Sequence, residues 1–226
     1  LRKDRKIMQA IKVLEEAILT QPQATIFHEF LAAIYEDENN NKEAVAVLKR
    51  AHKIMPKDER VLMLLGTVFE KTKQRKKAIH WMQKVIKLNA DNVTALNYVG
   101  YTFADQGKRL NRAEGMVRRA LALRPGDAYI TDSLGWVLFK QGRLDLAYKK
   151  LTSAIKLVPN EPTILYHLGE VSLARGNAKK AKDYFKRSIK AWQLKAEVDA
   201  DELARARQRI AEINAGEDTL SYGSFL

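Results

Sequence analysis

The stretch VTALNYVGYTFADQGKRLNRAEGMVRRALALRP, residues 93–125, reads as helix, turn, helix and stop. Leu96, Val99, Gly100 and Phe103 are spaced by three, one and three residues. That spacing draws a single stripe along one face of a helix. Gly107 follows where the chain must leave one helix and turn into the next, a step that calls for positive φ. Ala113 and Ala120 mark a second helix with a small-residue face, and Pro125 ends it.

The same signature recurs on both sides. Ala32, Ala44, Ala51 and Pro56 return as Gly66, Ala78, Val85 and Ala90 after 34 residues. Gly135, Ala147, Ala154 and Pro159 keep that spacing, as do Gly169, Ala181, Ser188 and Gln193. Gly100, Ala113, Ala120 and Pro125 run one residue late, which places a single insertion in the turn between Gly107 and Asn111. The glycines inside the first helices, Gly66, Gly100, Gly135 and Gly169, each forfeit about 1 kcal/mol of helix propensity relative to Ala. Close approach of two helix backbones is the expected compensation, with Ala78, Ala113, Ala147 and Ala181 as the facing flat surface.

These residues resemble the tetratricopeptide-repeat family. Its pattern of a large residue, Leu-Gly, an aromatic, Ala, Ala and Pro stands here as Leu96, Val99-Gly100, Phe103, Ala113, Ala120 and Pro125. The resemblance covers residues 1 to about 195 and implies an all-α, right-handed superhelical solenoid of helix-turn-helix repeats. Full repeats are expected at 25–58, 59–92, 93–127, 128–161 and 162–195. Ala10, Leu14, Ala17 and Pro22 place residues 1–24 as the second helix of a truncated repeat. Residues 196–215 read as a C-terminal capping helix, with Leu203, Ile210 and Ile213 turned toward the last repeat, and residues 216–226 as a mobile tail. The phrases Asn97-Tyr98-Val99-Gly100-Tyr101 and Asp132-Ser133-Leu134-Gly135-Trp136 look like the bacterial members of the family.

Composition agrees with an all-helical chain. Of 226 residues, 46% are apolar, with five Pro and eleven Gly. There is no Cys, which rules out disulfides and thiolate metal sites. The sequence holds no run of about 18 apolar residues to span a bilayer. The chain begins with Leu, so an upstream signal or lipid anchor is compatible with it, and localisation stays open between bacterial cytoplasm and periplasm.

In tetratricopeptide-repeat proteins, positions five and nine of each repeat line the concave groove. With Tyr129 added from position two, the resemblance therefore implies a peptide-binding groove at Asn97, Tyr101, Tyr129, Asp132, Trp136, Tyr166 and Glu170. Aromatic rings beside an amide and carboxylates suit an extended peptide or a helix. The bland reading is that Tyr101 and Trp136 pack between neighbouring first helices. Asp132 and Glu170 depart from the family's carboxylate-clamp type, which needs cationic or neutral donors.

The formal net charge of +13 invites a phosphate partner. Lys76, Lys77, Lys84, Arg118, Arg119, Lys149, Lys150, Lys180, Lys186 and Arg187 fall on second helices, however, where they read as a solvated convex face. Nucleic-acid binding is disfavoured, since acids occupy the groove. No phosphate loop or nucleophile elbow occurs, the four His are not spaced as a metal pair, and no cofactor is called for. Ser133, Asp132 and His167 lack an oxyanion hole to make a triad. The expectation is a non-enzymatic scaffold or adaptor that binds a protein or peptide. The alternatives are a subunit that self-associates through its N-terminal half repeat or its tail, and a basic convex surface for phosphate-rich partners.

Overall fold

The computed structural model describes residues 2–223, with side chains from residue 4 to residue 216. Among these residues there are twelve helices and no strand. They are α1 (Arg2–Thr20), α2 (Thr25–Asp37), α3 (Asn41–Ile54), α4 (Glu59–Lys71), α5 (Arg75–Leu88) and α6 (Val93–Asp105), then α7 (Leu110–Leu123), α8 (Ala128–Lys140), α9 (Leu144–Leu157), α10 (Pro162–Ala174), α11 (Ala178–Gln193) and α12 (Ala200–Gly223). The last helix runs on past Gly216, into the segment read from sequence as a tail, and residues 224–226 lie outside the described residues.

Local chemistry sets the starts. Asp58 and Asp127 accept from the backbone N–H groups of Val61 and Ile130 at 3.0 Å, and Asn92 from that of Ala95 at 2.8 Å, each satisfying a donor of the first turn. Pro162 opens α10, where its missing N–H costs nothing. The stops need less than the sequence suggests. Helices α3, α7 and α9 end two residues before Pro56, Pro125 and Pro159, yet α5 ends at the corresponding Leu88 with Ala90 in the proline's place. There Asn89 and Asn92 both donate to Glu59, tying the turn back to the start of α4.

The turns inside the pairs use positive φ throughout. Gly107, Gly142 and Gly176 have φ of 65°, 77° and 77°, and the same place is held by Asn39 at 56° and Lys73 at 55°. The inserted residue also finds its place here, since Arg109 adopts φ 51° just before α7.

The chain divides into two compact units, residues 1–102 and 103–226. In the first, Ala32, Leu48, Ala51, Val61, Leu65, Phe69 and Ala78 form a core between α2, α3, α4 and α5, and Ile18, Leu31 and Val47 form a smaller one beside α1. In the second, α8 packs on α9, α10 on α11, and α12 mainly on α11. The helix glycines have a different reason from the one expected. A methyl group on Gly66, Gly135 or Gly169 would run into the side chain of Met82, Leu151 or Phe185 on the following helix. The glycine makes room for a large side chain sixteen residues on, and at Gly135 the Ala147 carbonyl also comes within 3.4 Å.

Candidate functional site

Positions five and nine recur one helical turn apart on each first helix, so each pair presents one face. In the second unit that face is largely consumed by the next first helix. Asp132 on α8 and His167 on α10 are both buried and hydrogen-bonded, Oδ1 to Nδ1, at 2.8 Å. The Trp136 indole stacks on the His167 ring, with centroids 4.0 Å apart and planes 18° apart, and Lys140 Nζ lies 4.7 Å from the indole centroid. Burial disfavours the charged form of His167. The Asp132 carboxylate, by charge and by hydrogen bond, with Glu202 and Asp105 adding to it, outweighs this and holds the imidazole pKa above its ordinary value.

One step further along, α12 covers α10. Glu170 receives a forked pair from Arg209, Nε to Oε1 at 2.7 Å and a terminal nitrogen to Oε2 at 2.9 Å. Arg205 stands over the Tyr166 ring, which is itself buried 5.7 Å from the Phe185 ring. The Trp192 indole N–H donates to Glu202 at 2.8 Å, while Ala206 and Ile213 are buried. Burial pushes the Glu202 carboxyl above its ordinary range, against the opposing charge of His167 and hydrogen bonds from Trp192 and Thr163.

Of the seven residues expected to line a groove, the structure therefore buries Asp132, Trp136, Tyr166 and Glu170 in contacts within the second unit. At Trp136 it is the packing reading that describes the contacts, since the ring lies against the neighbouring first helix. Tyr129 is exposed on α8, its hydroxyl 3.4 Å from Glu161. Asn97 and Tyr101 belong to the first unit, where both are half-buried on one face of α6. The Asn97 carboxamide oxygen is enclosed and has no hydrogen-bond partner. Met63 and Thr67 hold the same two positions on α4 and are half-buried as well. Glu29 on α2 pairs with Arg60 on α4 at 2.7 Å.

The pairs Asp132–His167 and Glu29–Arg60 were missed by reading the repeats singly. Their signal is opposite polarity one repeat apart, at position five of one repeat and positions six or two of the next. Ser133 Oγ donates to the Tyr129 carbonyl at 3.0 Å, and His167 Nδ1 is taken by Asp132 inside the fold. Among the described residues no group of three His, Asp or Glu is placed to hold a metal, and no helix is long and apolar enough to cross a membrane.

Comparison with known proteins gives one answer. Tetratricopeptide-repeat family models match residues 1–59 and 133–196, and residues 59–92. A TPR repeat-containing protein of Pseudomonas aeruginosa is 30% identical over 171 residues, which is 75% of this chain and 29% of that protein. The human protein O-mannosyl-transferase TMTC1 is 24% identical over 185 residues, 80% of this chain and 20% of that one. The chain thus spans less than a third of the length of these relatives. Among solved structures, the type IV pilus biogenesis factor PilW superposes with a TM-score of 0.67 at 21% identity, covering 86% of this chain and 92% of PilW. YrrB, described as a TPR protein with an unusual peptide-binding site, gives 0.62 at 18% identity, over 86% of this chain and 97% of YrrB.

Proposed function

Because the chain belongs to the tetratricopeptide-repeat family, a solenoid fold built for protein interaction, we propose that it is a non-catalytic scaffold whose ligand face is the first-helix face of its first unit. The face is formed by Met63 and Thr67 on α4 with Asn97 and Tyr101 on α6. It takes an extended or helical peptide segment of a partner protein.

A contrast in burial carries this reading. Asp132, Trp136 and Glu170 of the second unit are buried in the contacts Asp132–His167, Trp136–His167 and Glu170–Arg209, whereas Met63, Thr67, Asn97 and Tyr101 are half-exposed. The half-exposed carboxamide of Asn97 adds a polar group beside a ligand backbone. A half-exposed Tyr beside it supplies a flat apolar anchor with a polar tip. Such an anchor is worth about 2 kcal/mol or more on truncation, roughly thirtyfold in affinity.

The test is site-specific photo-crosslinking from Thr67 and Tyr101 against Lys76 and Lys186 on second helices. Partner adducts from the first pair alone, lost in Asn97→Ala/Tyr101→Ala with circular dichroism unchanged, support the face. Adducts that form equally from Lys76 and Lys186 would move the ligand site off it.

A further inference from the structure

Two neighbouring helices of the second unit hold more than half of the chain's net charge of +13. Helices α9 and α11 carry nine Lys and Arg against two acids, Asp145 and Asp183. Both acids are taken, Asp145 by Arg175 at 2.9 Å and Asp183 by Arg187 at 3.8 Å. The helices lie side by side, with the Tyr148 and Tyr184 hydroxyls 3.5 Å apart. Their inner faces are spent on the fold, since Ala147, Leu151 and Ala154 of α9 and Ala181, Phe185 and Ser188 of α11 are buried.

The outer faces combine charge with exposed aliphatic carbon. On α9 the row Leu146, Lys149, Ser153, Lys156 and Leu157 follows helical spacing and is exposed throughout. Leu146 and Leu157, 47% and 56% exposed, close the row at its two ends. On α11, Lys179, Lys186 and Lys190 form the matching row, and Leu194, 80% exposed, stands just past its end. Among the described residues no acid pairs with these five lysines.

We infer that this face is a docking surface for an anionic phospholipid bilayer, with the lysines among the headgroup phosphates and the leucines reaching the acyl boundary. Each Lys near such a surface strengthens attachment about fivefold. Three observations favour lipid over another polyanion. Leucines set in the cationic rows gain from acyl chains, whereas a nucleic-acid backbone offers them nothing. Tyr148 and Tyr184 are half-buried and already carry the Arg175 and Arg187 guanidinium groups, at 4.5 and 5.5 Å, so neither is an open platform for a base. The cations are nearly all Lys, a point charge that suits a diffuse field of headgroups and that protein interfaces avoid in favour of Arg. No residue of the α4/α6 face takes part, so the two proposals stand or fall separately.

The probe is a vesicle of phosphatidylglycerol, with a phosphatidylcholine vesicle as the control of zero net charge, sedimented with the full chain. Saturable co-sedimentation with the anionic vesicle alone, falling as salt is raised, is expected. Lys149→Gln/Lys186→Gln, at exposed sites that leave the core intact, should weaken it about thirtyfold. Lys49→Gln/Lys57→Gln removes the same charge from the first unit and should bind like the parent chain. Leu157→Ser/Leu194→Ser should weaken binding about tenfold. Absence of co-sedimentation with phosphatidylglycerol, equal co-sedimentation with phosphatidylcholine, equal loss in the Lys49/Lys57 pair, or a leucine pair that binds like the parent would each overturn the inference. Retention on random-sequence DNA through Lys149 and Lys186, with the vesicles unbound, would overturn it in favour of a nucleic acid.

Discussion

Trp136→Ala separates the packing role of this ring from a ligand-binding one. The indole is 5% exposed, stacked on His167 at 4.0 Å and against Phe139 at 5.0 Å. A buried Trp removes up to about 250 Å² from water, which at about 25 cal/mol per Å² is roughly 6 kcal/mol. Residual burial in the unfolded chain trims this by about 10–40%, to roughly 4–5 kcal/mol, in line with about 3–5 kcal/mol for large aromatics replaced by Ala. For a unit of this length each kcal/mol moves the melting midpoint by about 4 °C, so a fall of roughly 12–20 °C is expected in the second unit. Thermal melts followed by far-UV circular dichroism measure the fall, and equilibrium urea melts the free energy. Trp136→Phe should recover more than half of the loss. A change below about 1 kcal/mol would refute the reasoning, because it would mean that the ring is free to leave its stack and serve a ligand.

Further outcomes follow from the same geometry. The raised His167 pKa means that the protonated imidazole stabilises the fold fully below about pH 6.5, and that this contribution is lost as pH rises through the higher folded value. Asp132→Asn removes the main opposing cause and leaves burial dominant, so an NMR titration of the imidazole should move from above its ordinary value to below it; a wild-type midpoint below 6.5 would contradict the pair. Lys73→Gly should stabilise the first unit by about 0.5–1 kcal/mol in a urea melt, since φ of 55° is strained for Lys and free for Gly. Gly169→Ala should cost about 1–3 kcal/mol by pushing into the buried Phe185 ring, whereas Gly66→Ala should be near neutral, the obstacle there being the flexible end of Met82. Equal effects of the two would refute the account of the helix glycines.

Much of the architecture is local and therefore legible in the chain. An apolar stripe at helical spacing, a residue of positive φ and a helix stop act within a few residues, and five copies in register leave little room for another fold. Even there, side chains substitute for the expected signals: Asn89 and Asn92 close the α5 turn without proline, and Lys73 holds a turn that Gly107 holds two helices on. The site was legible only as a set of positions. Sequence places Asn97 and Tyr101 on the same footing as Trp136 and Glu170, because all four occupy positions five or nine. Which of them are buried depends on what the next helix along that face brings opposite. His167 and Arg209 lie 31 to 39 residues away, and they consume Trp136 and Glu170 through a stack and a forked ion pair. Asn97 stays half-exposed, its enclosed oxygen without a hydrogen-bond partner. Periodicity sets which face a residue is on, and only the meeting of two faces sets whether that residue is available.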